Sequence, residues 1–218
     1  MIRSSVALLV LAACAPPAAP PPPAGVPAAA PADFVDEARP LARYHSKRLA
    51  LSLPLPDGAA WRIDDHTRPE LVATHGTSQS TVVVAVFHAD GLVGRTQCED
   101  LARERRLAPA DGPRSSTTLL ADEVTMTQET FDTHIRVALE SGASAQAPLV
   151  GRVTAFGGFL RKCYVFLFST RVDSAAQEPV LSSRLAFART RILGGLELDA
   201  FASPPRDTRD GPRPARTP

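Results

Sequence analysis

Residues 80–88, STVVVAVFH, constrain the fold of this chain more than any other segment. Val82, Val83, Val84, Val86 and Phe87 place β-branched or aromatic side chains on both faces of an extended backbone. A strand that is apolar on both faces has to be covered on both, so this one is predicted to lie inside a sheet rather than at its rim.

The flanking segments supply the rest of the sheet. Residues 49–53, LALSL, alternate at period two as a half-buried strand does. PLPDG at 54–58 reads as a turn, and residues 61–63 and 70–75 as short strands. The polar lead-in over 33–42 has room for a short helix. Over 95–107 the pattern becomes helical, with Cys98, Leu101, Ala102 and Leu107 inward and Glu99, Arg103, Glu104 and Arg106 outward. After a loop at 109–116, four strands follow at 119–128, 130–140, 149–156 and 159–170. The pair Gly157-Gly158 is predicted to make the tight hairpin between the last two. Leu181, Leu185, Ala188 and Ile192 recur at helical spacing, predicting an amphipathic helix over 179–193 closed by Gly194-Gly195. The expected class is α+β, a mainly antiparallel sheet with helices packed against it, in a single domain over 33–203.

The two ends of the chain differ from this body. Residues 15–31 contain almost nothing but proline and alanine and cannot form a core. Segment 14–32 is therefore expected to be a disordered, extended linker, reaching up to about 50 Å at ~3 Å per residue. Residues 204–218 lack periodicity and are expected to be a disordered tail. Arg206, Arg209, Arg213 and Arg216 against Asp207 and Asp210 give it a net charge of +2. We expect that tail to be solvated, with contact to anionic lipid headgroups as the alternative.

At the N-terminus, Arg3 precedes the apolar run VALLVL at 6–11, and the small residues Ala12 and Ala13 precede Cys14. That pattern describes a secretory signal peptide over 1–13, too short to span a bilayer. The order Leu11-Ala12-Ala13-Cys14 resembles the lipobox of bacterial lipoproteins. The resemblance implies cleavage before Cys14, acylation of its thiol, and a chain held in the cell envelope by lipid. In that family Ala15, where inner-membrane lipoproteins often carry Asp, implies the outer membrane, facing the periplasm or the cell surface. The alternative is an ordinary signal cut after Ala13. Lys+Arg 24 against Asp+Glu 23 argues against a nucleic-acid partner. The expected partners are the membrane, through lipid on Cys14, and another envelope protein.

The strand and turn over 49–58, followed by Trp61, a strand, a helix, antiparallel strands and a closing helix, resemble the PsbP-like (Mog-like) α/β/α sandwich over about 45–200. The resemblance implies a mostly non-enzymatic family of assembly factors, small-protein binders and envelope lipoproteins. No binding motif of that family is present here, so no residue role carries over, and fold does not fix function.

Cys98 and Cys163 are expected to form a disulfide, as a pair in an exported chain does, with buried reduced thiols as the alternative. Five histidines, His45, His66, His75, His88 and His134, are present. The nearest approaches to metal-ligand spacing are Asp64-Asp65-His66, His88-x-Asp90 and Asp132-x-His134. Asp132 and His134 share a face if their segment is a strand, which is also how a solvent-facing strand edge reads. Neither a Gly-x-Ser-x-Gly elbow, a Ser-x-x-Lys pair nor a phosphate loop is visible. No catalytic residue, metal ligand or cofactor is assigned. Phe156, Phe159, Tyr164, Phe166 and Phe168 are expected to pack the core, or else to line an apolar groove for a lipid or peptide.

The leading expectation is thus a membrane-anchored envelope lipoprotein with a non-catalytic binding or scaffolding domain. One alternative is an envelope hydrolase with a site assembled from scattered residues, which would show a His–carboxylate pair in a cleft. The other is a carrier of a hydrophobic ligand, which a tightly filled sheet–helix interface would oppose.

Overall fold

The valine-rich run does form an interior strand, and its neighbours follow from the same alternation. A computed structural model describes residues 34–35, 40–107, 116–128, 130–142 and 147–201. The signal at 1–13, the Cys14 linker at 14–32 and the tail at 204–218 lie outside these residues, as do half of the 33–42 lead-in and most of the 109–116 loop.

In chain order the strands are β1 (Leu41–Ser46), β2 (Leu51–Pro56), β3 (Trp61–Asp64), β4 (Leu71–His75) and β5 (Ser80–His88). Helix α1 (Arg95–Glu104) follows, then β6 (Ser116–Thr127), β7 (Phe131–Ser141), β8 (Leu149–Phe159) and β9 (Lys162–Val172). Helix α2 (Glu178–Phe187) runs into a π-helical turn over Ala188–Leu193, and β10 (Glu197–Leu198) closes the fold.

Seven strands form one sheet in the order β3-β4-β5-β9-β8-β7-β6, every pair antiparallel. A second sheet, β1-β2-β10, has three. Alternation sorts the side chains between two cores. Val82, Val84, Phe166 and Phe168 share one core with Leu51, Leu53 and Leu55 of β2 and with Leu181, Leu185 and Ile192. Ala85, Phe87, Cys163 and Val165 share the other with Cys98 and Ala102 of α1. The large sheet is thus covered by α1 on one face, and by α2 and the small sheet on the other.

Several local expectations are corrected. The end of the predicted lead-in helix is strand: Leu41 and Ala42 begin β1, paired with Pro56 and Leu55. PLPDG is not a turn as a whole. Pro54, Leu55 and Pro56 belong to β2, and the chain reverses only at Asp57, which is left-handed at φ 52°. The 179–193 segment is α-helical only to Phe187, although all four periodic residues are buried as expected.

The Gly157-Gly158 pair is not the hairpin. Both residues lie within β8, opposite Tyr164 and Cys163, and the turn is Leu160-Arg161. The glycines serve close approach instead. A Cβ on Gly157 would stand 2.3 Å from the Phe131 ring, and one on Gly158 2.7 Å from the backbone of Gly94. The turn's left-handed residue is Leu160, at φ 54°.

Candidate functional site

One cluster of buried charge lies where α1 crosses β7. Gln97 accepts a hydrogen bond from the Gly94 N–H at 2.7 Å and so starts the helix. One turn in, Glu99 faces the sheet rather than solvent, which corrects its expected outward position. Its Oε1 accepts from Arg103 at 2.5 Å and from Arg136 at 2.9 Å, and its Oε2 accepts from His134 Nδ1 at 2.9 Å. The other ring nitrogen of His134 meets Asp122 Oδ1, and Asp122 Oδ2 also reaches Arg136 at 3.4 Å. The hydrogen bond from His134 holds the Asp122 carboxyl below the usual carboxylate range, with the charges of His134 and Arg136 adding to it.

This is not the Asp132–His134 pair the spacing suggested. Asp132 is exposed opposite Met126, whereas His134 is buried with partners on α1 and β6. Nor does the arrangement suit a general base. Both ring nitrogens already face a carboxylate, Nδ1 that of Glu99 and Nε2 that of Asp122, so neither is open to a substrate. Because the two nitrogens point away from each other, Glu99 and Asp122 cannot meet His134 at one ion. Among the described residues no group of three or more His, Cys, Asp or Glu side chains is placed to hold a metal. The cluster is a clamp. Beside Glu99, Cys98 reaches Cys163 of β9 at disulfide distance, with Cα atoms 5.3 Å apart. Consecutive residues thus join α1 to the sheet, one through sulfur and one through charge.

A second polar chain runs through the opposite core. His75 Nδ1 lies 2.8 Å from Ser78 Oγ, Ser78 Oγ donates to Ser80 Oγ at 2.8 Å, and Ser80 Oγ to Thr170 Oγ1 at 2.8 Å. The buried Arg184 donates to the Ser78 carbonyl at 3.0 Å. A Ser–His contact can mark a nucleophile, but Ser78 is 2% exposed and His75 3%. A hydroxyl at that depth presents no face to an approaching substrate. The chain instead satisfies the polar groups of the β4–β5 turn, whose Gln79 is left-handed at φ 50°.

The remaining histidine motifs disperse. Asp64 accepts from the N–H groups of His66 and Thr67, at 3.2 and 3.0 Å, and from the Thr67 hydroxyl. These bonds hold its pKa down at about 2. Its neighbour Asp65 is buried, pairs with Arg48 at 2.8 Å, and accepts from the Tyr44 hydroxyl. His45 lies 3.2 Å from Ser52 Oγ, and His88 is exposed.

Phe156, Phe166 and Phe168 are core residues on both faces of the sheet. A cavity between the sheet, Leu193 of the π-helical turn, Leu196 and β10 measures about 30 Å³, room for water but not for an acyl chain. That part of the interface is filled, which counts against a carrier that holds its ligand there. An open depression of about 440 Å³ lies instead at the outer end of the β8–β9 hairpin, against Phe159, Leu160, Arg161, Lys162, Tyr164 and His88. Sequence reading also missed Phe34. It is fully buried, with its ring 5.8 Å from both Trp61 and Phe187 and 5.5 Å from His75. The available signal was its place as the first bulky apolar side chain after the proline-rich stretch.

These features define the class: an α+β domain built on an antiparallel sheet, with a disulfide-spaced cysteine pair and charge clamps. No protein-family model and no curated protein matches the chain. Among solved structures it is similar to the solution structure of cyanobacterial PsbP (CyanoP) from Synechocystis, at 12% identity over 73% of this chain and 93% of that one, with a TM-score of 0.47. It is also similar to a crystal structure from Bacteroides thetaiotaomicron, at 10% identity over 72% of this chain, with a TM-score of 0.41. This chain spans 47% of the length of that second protein.

Proposed function

We propose that this chain is a lipid-anchored lipoprotein of the bacterial cell envelope whose body is a non-catalytic binding or scaffolding domain. The distribution of its three cysteines carries the reading. Cys98 and Cys163 stand together at disulfide distance, which suits an exported protein in an oxidising compartment. The remaining cysteine is Cys14, in Leu11-Ala12-Ala13-Cys14, where an acylated thiol belongs. Two or more acyl chains hold a protein firmly, whereas one holds it marginally. Ala15 favours the outer membrane. The order of elements favours a PsbP-like sandwich for the body. The occupied nitrogens of His134 and the buried Ser78 hydroxyl favour binding over hydrolysis.

The test is expression of the full chain in a bacterium fed labelled palmitate, followed by membrane fractionation and in-cell crosslinking. The expected result is a labelled, membrane-bound chain crosslinked to one envelope partner in near-stoichiometric yield. Cys14→Ser should lose both label and membrane attachment. A wild-type chain without label, or label that survives Cys14→Ser, overturns the anchor. An anchored chain that crosslinks to nothing overturns the scaffold.

A further inference from the structure

We propose that β6 pairs antiparallel with β6 of a second copy of this chain, joining two seven-stranded sheets across a two-fold axis at Val124. β6 is the outermost strand of its sheet, and none of the described strands pairs with its outer edge. An open edge presents a row of backbone N–H and C=O groups spaced for another strand, so the edge itself specifies an extended chain as its occupant. The opposite edge of the sheet is β3, four residues long, whereas β6 has twelve.

Edges that stay in water are commonly guarded by lysine, proline or free charge. β6 contains neither lysine nor proline. Its two charged residues are already paired within the domain, Asp122 with His134 and Arg136, and Glu123 with Arg189. What the strand exposes instead is apolar: Leu119, Val124 and Met126 are each 52% exposed, and Leu120 49%. Leu119 is opposite Ala138, Val124 opposite His134 and Met126 opposite Asp132, so all three stand on the face that carries α1. Helix α1 packs on β8, β9 and β7 and leaves this stripe beside it open.

The strand's own pattern makes a second copy the occupant. The bulge between Leu119 and Ala121 and the strand end at Thr127 bracket a regular segment, 121–127, whose middle residue is Val124. Pairing that segment with itself in antiparallel register sets Val124 against Val124, Glu123 against Thr125, Asp122 against Met126 and Ala121 against Thr127. No charge then lies directly opposite a like charge, as cross-strand pairs require. A centre at Glu123 or Asp122 would instead set carboxylate against carboxylate. On the α1 face β7 adds Asp132, Arg136 and Glu140 one strand further in, with Glu140 paired to Arg152. Seven residues a side make a small interface, so the dimer is a weak, reversible one. The pairing rests on the domain alone and not on the anchored reading.

The test adds single cysteines to the full chain and oxidises it in the expressing cells and after purification. At the axis the two Val124 Cα atoms stand about 4.5–5.5 Å apart, within disulfide reach. Val124→Cys should therefore give a disulfide-linked homodimer. Thr125→Cys alone should not, because its counterpart is Glu123, whereas a mixture of Glu123→Cys and Thr125→Cys chains should crosslink. Leu92→Cys, more exposed but outside β6, is the control for random collision. Val124→Lys should abolish the dimer in sedimentation velocity without lowering thermal stability, since that side chain is exposed. A chain that sediments as a monomer at every concentration overturns the pairing, and so does a dimer that Val124→Lys leaves intact. Thr125→Cys or Leu92→Cys crosslinking as readily as Val124→Cys overturns the register. Val124→Cys crosslinking only to a different protein overturns the second copy as the occupant of the edge.

Discussion

At Glu99 a carboxylate with an 8% exposed side chain meets Arg103, Arg136 and His134 at once. Removing one member of such a buried group strands the charges that faced it, and the usual cost is about 3 kcal/mol or more. Glu99→Ala is therefore expected to lower unfolding free energy by about 3 kcal/mol in a urea titration, and a change under ~1 kcal/mol would show that the clamp contributes little. Asp64 makes a separate prediction. Its pKa is held at about 2, against 3.8 for an unperturbed carboxyl, so its hydrogen bonds stabilise the fold fully above the unfolded value. That contribution is lost as pH falls from about 4 towards about 2, and Asp122, lowered by His134, moves in the same direction. Asp64→Asn should lower stability near pH 6 and flatten its decline on acidification, as read from urea midpoints. An unchanged acid profile in that variant would count against the role of the Asp64 turn.

The strands and helices show where sequence reading succeeds and where it fails. The antiparallel run β6–β9 was legible because each segment is rich in β-branched or aromatic residues, and the 179–193 helix because Leu181, Leu185, Ala188 and Ile192 recur on one face. The Gly157-Gly158 pair misled because glycine permits a sharp turn and close packing alike. Which one applies depends on Phe131 and Gly94, remote in sequence. The true turn uses Leu160, which no turn preference selects. Glu99 was misplaced because charge argues for solvent, while the partners that hold it inward lie 35 and 37 residues away. Its spacing of three residues from the inward Ala102 was the one local hint. Cys98 and Cys163 were legible as a pair, and their link can be weighed at the same scale. Closing a 65-residue loop removes unfolded-state entropy worth about 4 kcal/mol. The double substitution Cys98→Ser, Cys163→Ser should cost that order of stability, and reduction of the wild-type chain should give the same loss. If dithiothreitol leaves the urea midpoint unmoved, α1 is held by its charge clamp and packing alone.

Across the whole molecule, the first described residue is Phe34, and it ties its segment to the body. Phe34 provides the grip among Trp61, His75, Phe168 and Phe187, which come from β3, β4, β9 and α2. One side chain thus ties the chain's entry to both layers that enclose the larger core. Phe34→Ala removes a fully buried aromatic ring at a site lined by rigid rings that cannot collapse into the space, and such truncations cost about 3–5 kcal/mol. The expected outcome is a loss of that size in urea unfolding, with earlier proteolytic release of the N-terminal segment. A urea midpoint unchanged in the variant would count against that grip.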